Sequence, residues 1–297
     1  MADRFSGVIA PILTPYNDDL SIAEDLYLSH ASDCLTGGVH YLSPFGTTGE
    51  ALSNTMAERM HMLELLVDSG TARADQLMPG TGLCAFEDTL TLCKHAVDLG
   101  CAAVMTLPPF FFTQANDEGY YRYFSQLIEA VGSDAMRICL YHIPQNAGVG
   151  ISPELAARLN KAFPEIVVAY KDSSGNWDNT RAVIEAAPGI SVFPGSESFM
   201  IDVMKLGGGG CISASCNTNM SAIRGMYDLA RSGDWDGAEA ELVPINAHRK
   251  AIQDGGLIPA LKAFKALQSK DDRWLNLRPP LMNADPALGH ALADTLS

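Results

Sequence analysis

RICLYHIPQNAGVGISPELAARLNKAFPEIVVAYKDS (137–173) contains two short apolar, β-branched runs, one at each end, with a long connecting segment between them. A run that ends in a polar or Gly/Pro turn and leads into a segment of helical length is typical of a strand followed by a helix. Because a crossover of this length cannot form a hairpin, the two runs are predicted to pair as parallel strands. The stretch therefore predicts an α/β fold.

The same unit repeats along the chain, in which we identify eight such runs. Eight strand–helix units within roughly 220 residues are typical of a (β/α)8 TIM barrel. A doubly wound sheet is the alternative, but it usually has a GxGxxG turn after its first strand, and TPYNDD (14–19) occupies that place here. The runs are GVIAPILTP (7–15), VHYLSPFG (39–46), QLMPGTG (76–82), AAVMTLP (102–108), RICLYHI (137–143), VVAYKDS (167–173), ISVFPGS (190–196) and GCISASC (210–216).

The C-terminal part of the chain has a different pattern. The composition does not change until near residue 230, and two further segments of helical character follow, over 234–252 and 256–268. We therefore expect the barrel to span 1–231 and a C-terminal helical extension to span 232–297, with the extension packed on the barrel in a single structural unit.

The chain is acidic, with 20 Lys and Arg residues against 35 Asp and Glu residues and a formal net charge of −15. Such a surface repels phosphate backbones, so no nucleic-acid partner is expected. The sequence shows neither a signal peptide nor an apolar stretch long enough to span a membrane, so no membrane partner is expected. The seven Cys residues form no CxxC and no Cys/His zinc spacing, and a reducing cytoplasm is the simplest location for them.

The end of the sixth run carries a lysine, Lys171, directly after VVAY (167–170). Barrel enzymes of this type place their reacting groups at the C-terminal ends of strands. Burial there disfavours an ammonium ion and lowers the lysine pKa, so that the free amine can act as a nucleophile. The alternative is a lysine whose stem follows the strand end while its amine reaches solvent.

The fifth run contains Tyr141, in CLYHIP (139–144). Its hydroxyl could relay protons at the mouth of the barrel, or its ring could belong to the core with the hydroxyl hydrogen-bonded there. Because side chains alternate along a strand, the neighbouring His142 is expected to face a helix rather than a substrate.

A glycine- and threonine-containing turn, GTTGE (46–50), follows the second run and precedes a helical segment. Its two glycines permit a tight backbone path, in which the hydroxyl and amide N–H groups of Thr47 and Thr48 would converge on an anion such as a carboxylate. Gly-Thr turns are common, so this pattern indicates a site only in combination with others.

Small polar residues follow the last two runs. Gly195 is followed by Ser196, Glu197 and Ser198, and the eighth run contains Ser213. At the mouth of a barrel these groups would suit a ligand that carries several hydroxyls. The alternative for Ser196 and Ser198 is ordinary N-capping of the helix that follows.

Three motifs in this order resemble those of one protein family: GTTGE (46–50), Tyr-x-Ile-Pro (141–144) and Lys-Asp-Ser-Ser-Gly (171–175). The family is the dihydrodipicolinate synthase / N-acetylneuraminate lyase superfamily of class I, pyruvate-dependent aldolases. The resemblance extends over essentially the whole predicted barrel, from Ala10-Pro11 to the Ser/Asn-rich eighth run. Each motif is weak alone, whereas the set at these spacings is specific.

The resemblance implies a role for each matching residue. Lys171 matches the lysine that forms a Schiff base with the keto carbon of pyruvate or another 2-keto acid, and Tyr141 matches the tyrosine that shuttles protons. Thr47 and Thr48 match the pair that holds the pyruvate carboxylate, and Thr48 also links to the tyrosine's proton relay. The chemistry uses a covalent imine, so no metal and no other cofactor is implied. The candidate substrate-binding residues are Gly46, Thr47, Thr48, Ser173, Gly195, Glu197, Ile212 and Ser213.

Two differences disfavour the lysine-pathway synthase of this superfamily. The synthase has an arginine five residues after its tyrosine, where this chain has Asn146. It also has a tyrosine pair after the fourth strand, whereas this chain has FFF (110–112), so Phe111 offers no hydroxyl for a relay across a dimer.

N-acetylneuraminate lyase is similar at the eighth strand, where its Asn-x-Asn-like stretch matches NTN (217–219). It has an Asp-Glu pair after the seventh strand, where this chain has Glu197-Ser198, and a serine at the position of Ala214. These differences disfavour its bulky nine-carbon substrate.

We therefore expect a lyase that cleaves a 2-keto-3-deoxy sugar acid, such as 2-keto-3-deoxygluconate, to pyruvate and an aldehyde, with Ser173, Glu197 and Ser213 as candidates for binding substrate hydroxyls. No arginine is visible among the strand-end residues, which favours a neutral aldehyde. The alternatives are N-acetylneuraminate lyase, a dehydratase or hydratase-aldolase that uses the same imine, the synthase, and a non-catalytic pyruvate sensor. The resemblance also implies a homotetramer formed as a dimer of dimers, in which FFF (110–112) would suit a contact between subunits.

Overall fold

The structure, a computed structural model, describes residues 5–296 and contains seven strands and twelve α-helices within that range. The strands are β1 (Gly7–Ala10), β2 (Tyr41–Leu42), β3 (Val104–Thr106), β4 (Ile138–His142), β5 (Val167–Asp172), β6 (Ser191–Pro194) and β7 (Gly210–Ile212). The helices are α1 (Glu24–Thr36), α2 (Met56–Asp68), α3 (Phe86–Asp98), α4 (Asp117–Val131), α5 (Pro144–Ala147), α6 (Pro153–Ala162), α7 (Trp177–Ala186), α8 (Met200–Lys205), α9 (Met220–Ser232), α10 (Trp235–Asp254), α11 (Ile258–Ser269) and α12 (Pro286–Ala293).

Local chemistry explains where several of these helices begin and end. Helix α2 begins with a capping box, in which the Glu58 N–H donates to Thr55 Oγ1 at 3.2 Å and the Thr55 N–H donates to Glu58 Oε2 at 2.8 Å. Helix α3 is followed by Gly100, which adopts a left-handed φ of 85° and donates its N–H to Val97 O at 3.0 Å. A left-handed glycine just beyond the last turn is a common way for a helix to end.

The chain divides into two compact units. Within the described residues, the first unit comprises 5–7 and 74–212, and the second comprises 8–73 and 213–296. The predicted division at residue 231 between a barrel and an extension is a separate proposal, which this division into units does not test.

The first unit contains a four-stranded sheet in the order β3-β4-β5-β6, and every pair in it is parallel. Helices α4, α5–α6 and α7 form the crossovers between consecutive strands. The parallel pairing predicted from 137–173 is therefore confirmed, with Tyr141 opposite Lys171 in the register between β4 and β5. These strands are buried almost throughout, as expected of parallel strands covered on both faces.

The third predicted run, 76–82, forms no regular strand. It follows the edge of β3 through a single parallel bridge between Gly80 and Met105, with hydrogen bonds from Met105 N to Pro79 O and from Thr81 N to Met105 O. Pro79 has no N–H to donate, and the glycines on either side of Thr81 weaken a ladder, so the segment pairs without meeting the criteria of a strand.

The second unit contains the parallel pair β1–β2, with Ile9 opposite Tyr41, together with α1, α2 and the C-terminal helices α9–α12. The helices predicted over 234–252 and 256–268 are confirmed as α10 and α11. A core cluster in this unit joins Leu13, near β1, to Leu261 and Phe264 of α11 and to Trp274. The C-terminal helices are thus packed into the same core as the chain around β1.

No helix within residues 5–296 combines the length and apolar character needed to cross a membrane. All seven cysteines are free thiols, and only Cys84 is exposed.

Candidate active site

Tyr141 and Lys171 lie together at the C-terminal ends of β4 and β5 in the first unit. They are directly opposite each other in the parallel register, so their side chains project from the same face of the sheet. Lys171 Nζ lies 4.3 Å from the centroid of the Tyr141 ring, and both residues are buried, with Lys171 only 4% exposed. The solvent-directed alternative for Lys171 is therefore wrong, and the amine is held against the aromatic face beside the phenol.

The next residue of each strand projects from the opposite face, as strand alternation requires. His142 Nδ1 accepts the N–H of Ile151 at 2.9 Å, and its ring stacks on Tyr170 at 5.9 Å between centroids. Asp172 accepts hydrogen bonds from Asn179 and Thr180 of α7. His142 therefore contacts the segment before α6 and a tyrosine of β5, and the prediction that it faces a helix stays a prediction. Together these side chains fix the strand ends on this face of the sheet.

Ser173 and Gly195 are brought together after β5 and β6. The Gly195 N–H donates to Asp172 O at 2.6 Å, and a Cβ at position 195 would lie 2.3 Å from Ser173 Oγ. Only glycine permits this approach, because the nearest atoms include the Ser173 Cα at 2.9 Å as well as its hydroxyl. Sequence reasoning missed Gln145, whose side-chain amide donates to Ser173 O at 2.7 Å and ties the β4 loop to the end of β5.

Glu197 and Ile212, the remaining candidates of the first unit, are both fully buried. Ile212 ends β7, and Glu197 begins a helical turn, Glu197–Phe199. Ser196 Oγ accepts the N–H of Ser198 at 3.1 Å, so Ser196 has the capping role that was its alternative interpretation.

The threonine loop, residues 45–50, lies in the second unit and is bounded by two left-handed residues that are not glycine. Phe45 has φ 57° and Glu50 has φ 53°. Between them, the Gly49 N–H donates to Gly46 O and the Glu50 N–H donates to Thr47 O, both at 3.1 Å. Left-handed conformations are unfavourable for such residues, so the surrounding contacts must impose this path.

The interior of the loop packs tightly against the chain after β1. Thr14 Oγ1 donates to Gly49 O at 2.8 Å, and a Cβ at position 49 would lie 2.8 Å from Ile12 O. Within residues 5–296 the hydroxyl of Thr48, a nearly buried side chain, has no hydrogen-bond partner. The loop therefore presents Thr48 in a fixed position with unused hydrogen-bonding capacity.

Ser213, also in the second unit, is fully buried and contacts an arginine that sequence reasoning missed. Arg249 of α10 donates from Nη1 to Ser213 Oγ at 3.2 Å, and its side chain is half-buried. The strand-end residues themselves include no arginine, as the sequence indicates, but this guanidinium reaches Ser213 from a helix 36 positions later in the chain.

No group of three or more His, Cys, Asp or Glu side chains in the described part of the chain is arranged to hold a metal ion. The arrangement offers instead a buried amine beside a phenol in the first unit. In the second unit it offers hydroxyls and a guanidinium that suit a carboxylate.

Residues 4–297 match the sequence model of the dihydrodipicolinate synthetase family. An uncharacterized DapA-like lyase of Chloroflexus aurantiacus is 33% identical over 261 residues, covering 86% of this chain and 85% of the relative. A 4-hydroxy-tetrahydrodipicolinate synthase of Thermus thermophilus is 31% identical over 290 residues, covering 97% and 94%.

Among solved structures, the crystal structure of dihydrodipicolinate synthase from Agrobacterium tumefaciens superposes with a TM-score of 0.88 at 28% identity, covering 98% of both chains. The chain therefore has the α/β fold of the TIM-barrel structures of that kind, with C-terminal helices, and the predicted fold class is confirmed.

Proposed function

The chain belongs to the dihydrodipicolinate synthetase family, a family of pyruvate-dependent class I aldolases and lyases, and from this premise we propose that its substrate is a 2-keto-3-deoxy sugar acid. The products would be pyruvate and a hydroxyaldehyde, as from 2-keto-3-deoxygluconate. The observation that supports the imine chemistry of this proposal is the placement of Lys171 Nζ 4.3 Å from the ring of Tyr141, both buried at neighbouring strand ends.

The first stage of the reaction makes the imine. The Lys171 amine attacks the C2 keto carbon of the substrate, and loss of water leaves a protonated imine. The buried setting of Lys171 excludes bulk water from this bond. The Tyr141 phenol, beside the amine, is suited to deliver the proton with which the hydroxyl departs.

The second stage breaks the carbon–carbon bond. A base removes the proton of the C4 hydroxyl, the C3–C4 bond breaks, and its electron pair moves into the imine to give an enamine while the aldehyde leaves. Protonation of the enamine at C3 and hydrolysis of the imine by water release pyruvate and restore the amine. Tyr141 is the natural carrier of the proton, directly or through the substrate carboxylate.

The threonine loop would hold the carboxylate of the same substrate. The unused hydroxyl of Thr48 supports this role. A substrate carboxylate could accept the hydrogen bond of this hydroxyl, which no described residue accepts. The further candidates for substrate binding are Gly46, Thr47, Ser173, Gly195, Glu197, Ile212 and Ser213.

A panel of 2-keto-3-deoxy acids, with N-acetylneuraminate and the synthase reaction included, tests the proposal. Aldol cleavage releases pyruvate, which a coupled lactate dehydrogenase assay detects, whereas a dehydratase consumes the same acids without releasing it. Turnover of a 2-keto-3-deoxy sugar acid with pyruvate release supports the proposal. A chain active only in the synthase direction, or only as a dehydratase, contradicts it.

Arg249 favours a second candidate, in which the aldehyde portion of the substrate carries its own carboxylate. Its guanidinium is fixed on the Ser213 hydroxyl, and a planar donor of this kind suits a carboxylate better than a neutral hydroxyl. The relatives named as 4-hydroxy-tetrahydrodipicolinate synthase are consistent with an acidic substrate for this chain.

Replacing Arg249 with alanine discriminates between the two candidates. If the substrate's distal end is acidic, the KM for that substrate should rise by about 10- to 100-fold, as expected for the loss of a hydrogen bond to a charged group. Substrates with a neutral distal end should change less than about threefold. Lys250→Ala is the control, because Lys250 is the next residue, is exposed and, among residues 5–296, forms an ion pair only with Asp254. An equal rise in KM for acidic and neutral substrates would show that Arg249 does not bind the distal group of the substrate.

We also propose that the protein is a homotetramer formed through exposed aromatic residues. Phe111 is 77% exposed and Phe112 is 72% exposed, and their rings meet edge to face at 5.6 Å. Two adjacent exposed phenylalanines are unusual on a surface that stays in water, which supports burial against a second copy.

Replacing Phe111 and Phe112 with serine should therefore reduce the size of the assembly. Sedimentation or light scattering is expected to show a tetramer for the wild-type chain and a smaller species for the double variant. Val243→Ser, which removes a side chain of similar exposure from α10, should leave the assembly unchanged. A monomeric wild-type chain, or an unchanged double variant, contradicts this proposal.

A further inference from the structure

The C-terminal end of the threonine loop is fixed by a side chain that the proposed reaction does not use. Glu50, the last residue of the loop, is left-handed at φ 53° and its carboxylate is completely buried. It directly follows the segment that would hold the substrate carboxylate. A shift of its backbone would move Thr48, two residues earlier.

Lys262 of α11 forms an ion pair with Glu50, and neither side chain is exposed at all. The Lys262 ammonium also donates to Asn276 O at 2.9 Å and lies 4.4 Å from the centroid of the Tyr16 ring. Contacts with Glu50, Asn276 and Tyr16, all in the second unit, therefore hold the Lys262 ammonium beside the loop. None of these partners belongs to the imine chemistry.

The backbone around Glu50 is held from further directions. Asn54 Nδ2 donates to Glu50 O at 2.8 Å, and the Arg278 N–H donates to Glu50 Oε2 at 3.3 Å. The Arg278 side chain donates from Nη1 to Ser53 O at 2.8 Å. At the other end of the loop, Phe45 stacks on Tyr27 at 6.2 Å between ring centroids.

A buried ion pair of this kind is a poor source of stability. Desolvation of two charges offsets most of their attraction, and well-packed apolar residues often stabilise a protein equally well. Burial lowers the pKa of Lys262 to about 8, although Glu50 opposes this shift, so desolvation dominates at the lysine. Stability alone is therefore a weak explanation for the pair.

We propose that Lys262 is a positioning residue for the substrate carboxylate: through Glu50 it holds the threonine loop in the conformation that binds pyruvate. The inference rests on the proposed role of Thr47 and Thr48. It assigns to the C-terminal helix α11, which carries no residue of the proposed chemistry, an indirect part in substrate binding through Glu50.

Borohydride trapping of the pyruvate imine tests the inference without knowledge of the aldehyde. The amount of adduct is measured by intact mass against pyruvate concentration, which gives a half-saturation concentration and a maximal trapping rate. Lys262→Met is compared with Lys265→Met, the matched control. Lys265 is a second buried lysine on α11, but its ammonium contacts Gln268 at 2.7 Å and Asp33 at 3.4 Å rather than the loop.

Lys262→Met leaves Glu50 buried without its partner and is expected to lower stability. The double variant Lys262→Met/Glu50→Gln removes both charges, so its melting temperature should return toward that of the wild-type chain. This variant provides the test if the single variant does not fold. Both variants are expected to raise the pyruvate half-saturation concentration at least tenfold, with the maximal trapping rate within about threefold of wild type. Lys265→Met should leave the half-saturation concentration unchanged.

Two results would overturn the inference. One is a folded Lys262→Met chain with wild-type half-saturation, and the other is a double variant that regains wild-type half-saturation together with its stability. Failure of the proposed function is a distinct outcome, because the wild-type chain would then give no pyruvate adduct on Lys171.

Discussion

Lys171→Met is expected to abolish lyase activity, with a loss of roughly 10⁴-fold or more, since no other group can form the imine. Methionine has a similar length and apolar stem, and the site is only 4% exposed, so the substitution should not disturb β5. Sodium borohydride with pyruvate should inactivate the wild-type chain and leave a reduced adduct on the peptide that contains position 171. The variant should acquire no adduct.

The control for this experiment is Lys161→Met, which removes an exposed lysine from the end of α6 and should retain full activity and full adduct formation. An adduct on the Lys171→Met chain, or wild-type turnover by it, would exclude Lys171 as the amine that forms the imine. Since the family uses this chemistry, such a result would mean that another lysine carries the reaction.

Tyr141→Phe is expected to lower kcat by about 10²- to 10³-fold, the usual contribution of a positioned proton donor. The ring stays against Lys171 Nζ, so the variant removes only the hydroxyl and should still bind pyruvate. Steady-state kinetics should show the loss mainly in kcat, and single-turnover trapping should show slower imine formation.

Tyr170→Phe is the matched control, because Tyr170 precedes Lys171 on β5 but faces the other side of the sheet. Its hydroxyl donates to Ile151 O at 2.7 Å, so its removal should cost about 1 kcal/mol of stability and little activity. Equal losses of kcat in the two variants would indicate that Tyr141 acts by packing and not by proton transfer.

The pairing of Tyr141 with Lys171 could be predicted from the sequence because it follows from strand periodicity. Alternation places His142 and Asp172 on the other face, and parallel pairing brings neighbouring strand ends to one edge. The 76–82 run shows the limit of that reasoning, because its proline and glycines reduce a predicted strand to a single bridge.

The contacts made by the C-terminal helices could not be predicted in the same way. Arg249 meets Ser213, and Lys262 meets Glu50, through the rotation and tilt of α10 and α11, which the sequence pattern does not specify. From sequence alone, a lysine in a helix is expected to be exposed, because lysine is rarely fully buried unless it is paired. The partner that permits burial can be distant in the chain, so the sequence pattern does not reveal it.

The ion pair between Glu50 and Lys262 joins residues more than 200 positions apart. During synthesis the N-terminal strands leave the ribosome long before α11, and domains fold as their segments become available. If Lys262 positions the threonine loop as proposed, the loop reaches its substrate-binding conformation only after α11 has been synthesised and has packed against Glu50.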